Sequence, residues 1–130
     1  ARDHEWRFDG GVAVPASASP AVVPQAYVGA ATGDPEEAFI ASIASCHMLT
    51  FLDLARRAGF VIASYDDAAT GEMAKTSEGR YWVSTVTLHP RIVWVDKEPG
   101  HDELAKLHHQ AHDFCFIANS VKTDVSVEGF

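Results

Sequence analysis

Apolar and polar positions divide this chain into blocks of different period. Trp6 and Phe8 alternate with polar neighbours and run into Asp9-Gly10-Gly11, after which Val12-Ala13-Val14 stops at Pro15. This pattern predicts a hairpin, or the end of one. Residues 15 to 34 contain Pro15, Pro20, Pro24, Gly29 and Gly33 and show no period. They predict a loop of about 20 residues, long enough to suggest a functional or mobile segment.

The next block predicts a long helix over 35–58. Asp34 is a good N-cap, Pro35 suits the first helical position and Glu37 follows Asp34 by three residues. No Pro or Gly interrupts before Gly59, a natural residue just past a helix end, and Arg56 and Arg57 favour the dipole of the last turn. Such a helix is about 36 Å long. From Ala38 to Leu52 it is apolar on nearly every side, which predicts burial all round. Ala38, Ala41, Ser42, Ala44 and Ser45 are small enough for a second backbone to approach. A chain this short can hardly surround such a helix alone, so a homodimer with one shared core is expected.

Val61 to about Lys75 reads as a strand, Thr76-Ser77-Glu78-Gly79 as a turn, and Tyr81 to Val95 as a second, longer strand with a bulge or edge at Pro90. Asp96 to Gly100 is a charged loop, and a second helix runs from about Asp102 to Cys115. A last strand alternates, with Val121, Thr123, Val125 and Val127 facing one way and Lys122, Asp124, Ser126 and Glu128 the other. The order predicts a single α+β domain over 1–130 with a mostly antiparallel sheet.

Composition narrows the function. The 130 residues are 47% hydrophobic and carry a formal net charge of −8, which speaks against a nucleic-acid binder. No apolar run reaches about 18 residues without polar breaks, so no membrane partner is expected. Ala1-Arg2-Asp3-His4 has no signal-peptide character, and no initiator Met is present. Two cysteines do not make the disulfide framework of a small secreted domain, and the cytoplasm is the expected compartment.

The two cysteines carry the chemistry. Cys46 lies midway along the long helix and Cys115 ends the second. A free Cys is often a plain buried hydrophobe. A reactive one needs a positive neighbour to hold the thiolate. His47 is adjacent to Cys46, but successive helical side chains point about 100° apart, so the cation has to come from elsewhere. Glu36 is either a first-turn carboxylate favoured by the dipole or part of a site. It lies ten residues from Cys46, about 15 Å along one helix, so only an antiparallel second copy could bring a Glu36 alongside. His108, His112 and Cys115 share one helical face and admit a metal reading, although a structural zinc site usually has four ligands in a tighter pattern. His101 and His109 read as solvated surface residues. The rival reading of Cys115 is a resolving thiol.

Two motifs, Asp34-Pro35-Glu36-Glu37-Ala38-Phe39 with Ser45-Cys46 and Ala111-His112-Asp113-Phe114-Cys115 with Asn119, resemble the signatures of the osmotically inducible protein C (OsmC) and organic hydroperoxide resistance (Ohr) family. The resemblance implies the OsmC-like fold, an intertwined homodimer with sites at the interface, and a strand preceding Ala1. It also implies a cysteine-based peroxidase with a peroxidatic Cys46, a resolving Cys115, and Glu36 orienting a catalytic arginine, matched best by Arg2 and next by Arg7. Phe116 stands where relatives commonly carry Pro.

The implied chemistry reduces an organic hydroperoxide, uses an external dithiol as reductant, and needs no metal or other cofactor. Phe39, Met48, Phe51 and Phe114 are the apolar residues expected to favour an organic substrate; each is also a plausible core residue. The alternatives are a non-catalytic redox-sensing or thiol- or ligand-binding protein on the same fold, and a metal-binding or purely structural dimer.

Overall fold

In the computed structural model, which describes residues 2–20 and 32–130, the chain divides into two units, Ala1–Phe39 and Ile40–Phe130. In the first, β1 (His4–Arg7) and β2 (Ala13–Ala16) form an antiparallel ribbon with Trp6 opposite Val14. The Phe8 N–H donates to the Val12 carbonyl and the Gly11 N–H to the Phe8 carbonyl, both at 2.9 Å. Gly11 has φ 91°, a conformation that only glycine reaches at little cost. The hairpin is therefore present, but β2 does not stop at Pro15. It continues to Ala16, because a two-stranded ribbon has an open edge that tolerates proline. The Pro15 carbonyl accepts from the Gly33 N–H at 3.1 Å, and Ala16 forms an isolated parallel bridge to Gly33. Of the loop expected over 15–34, residues 21–31, with Pro24 and Gly29, lie outside the described residues.

Helix α1 (Pro35–Arg57) starts and ends close to where its caps predict. Asp34 Oδ1 accepts from the Glu37 N–H at 2.9 Å. At the far end Gly59, with φ 88°, and Phe60 return their N–H groups to the Arg56 and Ala55 carbonyls at 3.0 Å. The helix is not buried all round in the single chain. Ile43, His47, Phe51 and Ala55 form one buried stripe at every fourth residue, while Leu49 is 61% exposed. Despite its polar breaks, α1 is long and apolar enough by length and composition to cross a membrane. Its buried stripe nevertheless packs as a core helix.

The second unit differs most from the expected strands. The block 61–75 is two strands, β3 (Val61–Asp67) and β4 (Thr70–Lys75), in different sheets. The block 81–95 is likewise two, β5 (Tyr81–Leu88) and β6 (Pro90–Val95). The physical reason for the second break is local. Pro90 has no ladder N–H, and the N–H of His89 is diverted to Asp67 Oδ1 at 2.8 Å.

β3 pairs antiparallel with β6, β4 pairs antiparallel with β5, and β5 pairs in parallel with β7 (Asp124–Val127). β7 is shorter than the expected strand, and its alternation holds: Val125 and Val127 are half-buried, Asp124 and Ser126 exposed. Helix α2 (His101–Phe114) crosses between the sheets in sequence. The architecture is α+β, as expected.

The core joins α1, α2 and the β3–β6 sheet. Phe51, Ala55, Phe60, Leu107 and Ala111 are its buried centre, with Tyr65, Ile92 and Trp94 packed around them. On the other sheet, a Cβ at Gly71 of β4 would stand 2.6 Å from Cδ1 of Ile40, so glycine lets α1 approach that strand closely.

Candidate active site

Cys46 sits on the middle of α1, half-buried, and Cys115 caps the end of α2, 1% exposed; both are free thiols. At Cys115 the backbone leaves the helix with φ −68° and ψ 115°. A tight turn follows, closed by a short 3-10 segment at Ala118–Ser120. The turn is tied by the Asn119 side chain, which donates to the carbonyls of Asp113 at 2.9 Å and Cys115 at 3.1 Å. It places Cys115 near enough to Cys46 for each thiol to shift the ionisation of the other.

The two thiols are not equivalent. Burial alone pushes the Cys46 thiol up, but its polar surroundings, first the backbone of Ile117, then the Cys115 thiol and the backbone of Phe116, outweigh that and hold it below the ordinary cysteine value. Thr50 contributes least; its hydroxyl donates to the Cys46 carbonyl at 2.8 Å. Cys115 moves the other way. Burial pushes it up, the Ala118 N–H at 3.4 Å pulls it down, and the neighbouring Cys46 pushes it up again. The result is a thiolate-prone Cys46 beside a Cys115 that stays a thiol.

The other expected site residues divide between the units. Arg2, Glu36 and Phe39 belong to the first; Met48, Phe51 and Phe114 belong to the second. Arg2 is exposed, and its carbonyl bonds His4 Nδ1 at 2.8 Å. Arg7 is committed to an exposed ion pair with Glu5. Glu36 is half-buried in the first turn of α1, ten residues along the helix from Cys46. Met48 is half-buried, and Phe114 is 63% exposed. Phe51 is a correction: it is fully buried among His108, Tyr65 and Trp94 and has no surface to offer a substrate.

The histidines take a different role from the one their spacing suggests. His47 Nε2 and His108 Nδ1 share a hydrogen bond at 3.0 Å, with the rings stacked 8° from parallel. His108 is thereby engaged in the core. Among the described residues no three His, Cys, Asp or Glu side chains converge as a metal site requires. His47 is pushed down to about 4 by burial and then by His112, and His108 to about 4 by burial and then by His47.

An unfolded chain protonates both near 6.5, the folded chain only near 4. Between those values the unfolded state holds more protons, so stability falls as pH drops from about 6.5 to about 4 and levels off below. Denaturant midpoints at about pH 7 and about pH 4.5 test this. The double variant His47→Leu/His108→Leu should show a flatter profile than the unaltered chain; equal slopes would contradict the assignment.

Sequence reasoning missed the influence of the Phe116 and Ile117 backbone on Cys46, because peptide groups leave no mark on residue identity. It also passed over Leu49, whose exposed side chain lies three residues from Cys46.

The model of the OsmC-like protein family matches residues 29–129. An OsmC-like protein of unknown function from Vibrio cholerae O1 biovar eltor is 47% identical, with a TM-score of 0.94 over 98% of this chain and 84% of that one. OhrB, the organic hydroperoxide resistance protein of Bacillus subtilis, is 23% identical, with a TM-score of 0.76 over 98% of this chain and 90% of that one. An organic hydroperoxide resistance protein OsmC from Legionella pneumophila is 19% identical, with a TM-score of 0.70 over 98% and 94%. No curated protein matches the chain.

Proposed function

The chain belongs to the OsmC-like family, and from that premise we propose that it is a cysteine-based peroxidase that reduces organic hydroperoxides. The observation that carries this reading is the unequal thiol pair: Cys46 held toward the thiolate near Cys115 held as the thiol. A peroxidatic sulfur must be ionised to attack, and a resolving sulfur must wait. Solved relatives named organic hydroperoxide resistance proteins share the fold.

The Cys46 thiolate attacks the terminal oxygen of the hydroperoxide. An S–O bond forms and the O–O bond breaks; the alkoxide takes a proton from water and leaves as the alcohol. Cys46 is now a sulfenic acid. With the charge on Cys46 gone, its repulsion of the Cys115 anion goes too, and the Ala118 N–H is left to favour ionisation of Cys115. Cys115 then attacks the Cys46 sulfur, water leaves, and a disulfide forms. An external dithiol reduces that disulfide, becoming oxidised itself and returning both thiols. Two free cysteines suit the reducing cytoplasm.

Apolar side chains on α1 and the α2 end give the substrate preference. Met48 and Leu49, two and three residues past Cys46, and Phe114, beside Cys115, are apolar and exposed or half-buried, and would favour an alkyl or aryl hydroperoxide over hydrogen peroxide. The same exposed surface supports a homodimer. A second α1 running antiparallel would bring the second copy's Glu36 toward Cys46, where it would orient Arg2 by a bidentate pair. Phe39 would line the same seam.

Cys115→Ser tests the scheme. It should give one fast turnover, a single equivalent of alcohol per Cys46, and then a stall with Cys46 as the sulfenic acid. Sustained turnover would remove Cys115 from the cycle. Slow oxidation of the unaltered protein, with no alcohol produced beyond one equivalent, would favour a redox sensor instead.

A further inference from the structure

We propose that the cavity beside α2 and β7 is a binding site for a small, uncharged hydrocarbon alcohol or phenol, with His108 and His112 holding its hydroxyl group.

The cavity measures about 400 Å³, a size typical of small-molecule sites. Helix α2 supplies Ala105, His108 and His112 to its wall, and β7 supplies Val125 and Val127, the half-buried side of its alternation. The Phe130 ring closes in at 4.8 Å from that of His108. All of these residues belong to the second unit, and the wall they form includes neither Cys46 nor Cys115.

Two buried nitrogens set this cavity apart from a plain packing gap. His108 is only 2% exposed. Its Nδ1 is spent on His47 Nε2 at 3.0 Å, while its Nε2 is buried and has no partner among the described residues. His112 Nδ1 is also buried and has none there. A polar atom that leaves water and gains no hydrogen bond costs the fold free energy, so two of them on residues of one cavity point to a ligand. Four residues apart on one helix, the two side chains start about 5–6 Å from each other, so a single oxygen can lie within reach of both. A neutral imidazole carries one N–H and one lone pair, and a hydroxyl both donates and accepts. It is therefore the smallest group that serves one histidine as acceptor and the other as donor.

Charge narrows the class further. Among the described residues no Asp or Glu lines the cavity, so nothing in it would hold a cation. Burial, and then His47, keeps His108 neutral down to about pH 4, so no imidazolium there awaits a carboxylate. The chain's formal charge of −8 also repels anions. His109, which lines the cavity as well, has an exposed ring beside the Asp113 carboxylate at 3.4 Å. The rest of the wall is hydrocarbon, which suits the body of such a ligand.

Phenol, titrated into the full-length chain at about pH 8, well above the ordinary histidine midpoint, tests the assignment. The ring-nitrogen NMR signals of His108 and His112, in protein carrying isotope-labelled histidine, should move together and saturate. Benzoate, the same ring with an anionic group, should bind about tenfold more weakly or worse. His112→Leu should weaken phenol about tenfold, the factor set by one hydrogen bond, and Val127→Phe, which fills the cavity from β7, should abolish the shifts. Histidine signals that ignore phenol would mean that the cavity holds water only and would overturn the proposal, as would benzoate binding as tightly as phenol. Should the variants not fold, the titrations of the unaltered chain decide alone. Phenol binding should persist in Cys46→Ser, so the peroxidase reading and this one stand or fall separately.

Discussion

Cys46→Ser is expected to abolish hydroperoxide consumption, by about 10³-fold or more, with the fold intact. The size of the effect follows from what the sulfur does. A serine hydroxyl in the same place ionises far less readily than the thiol, and an alcohol is a poor nucleophile toward a peroxide oxygen. When a covalent nucleophile is removed, the remaining groups act on nothing, so losses of several orders of magnitude are the rule. The structural cost should be small. Cys46 is half-buried, outside the buried stripe of Ile43, His47, Phe51 and Ala55. Steady-state alcohol production from a bulky organic hydroperoxide, together with a denaturation midpoint, checks both halves. Retained turnover would transfer the nucleophile elsewhere and end the peroxidase assignment.

Phe51→Ala should destabilise the chain by about 3–5 kcal/mol, the usual cost of emptying a ring-sized space in a core. Phe51 is fully buried, with ring centroids 4.2 Å from His108, 5.8 Å from Tyr65 and 6.1 Å from Trp94. It is the residue through which α1, α2 and the β3–β6 sheet touch one another, so no single neighbour can relax to fill its place. Against a typical total of about 5–15 kcal/mol, this is a large share of the stability. Equilibrium denaturation with an unchanged m-value measures it. A variant with full stability and a raised KM for hydroperoxide would restore Phe51 to the substrate-lining role that sequence alone suggested.

That exchange of roles shows where residue patterns stop being informative. Met48, Phe51 and Phe114 are all apolar residues near a cysteine, and nothing in their identity separates a core ring from an exposed one. Burial separates them, and burial depends on which elements meet. The strands show a related limit. Blocks 61–75 and 81–95 each read as one strand, the second with a bulge or edge at Pro90, yet each is two strands in two different sheets. The break at His89 is marked locally by Pro90, but the one at 68–69 separates strands whose partners, β6 and β5, lie far along the chain. Helix α1, in contrast, was legible almost to the residue, because its caps at Asp34 and Gly59 act locally.

From the sequence alone came the two helices, the alternation of the last strand, the position of both cysteines at or within helices, and the family resemblance that gives each its implied role. Those depend on period, caps and residue type, which are written along the chain. Only the tertiary structure set Cys46 near Cys115 and turned His47 toward His108. The physical reason is that thiol ionisation is fixed by the groups surrounding the sulfur in space. Here most of those groups come from a turn about 70 residues away, and two of them are backbone groups, which residue identity does not mark.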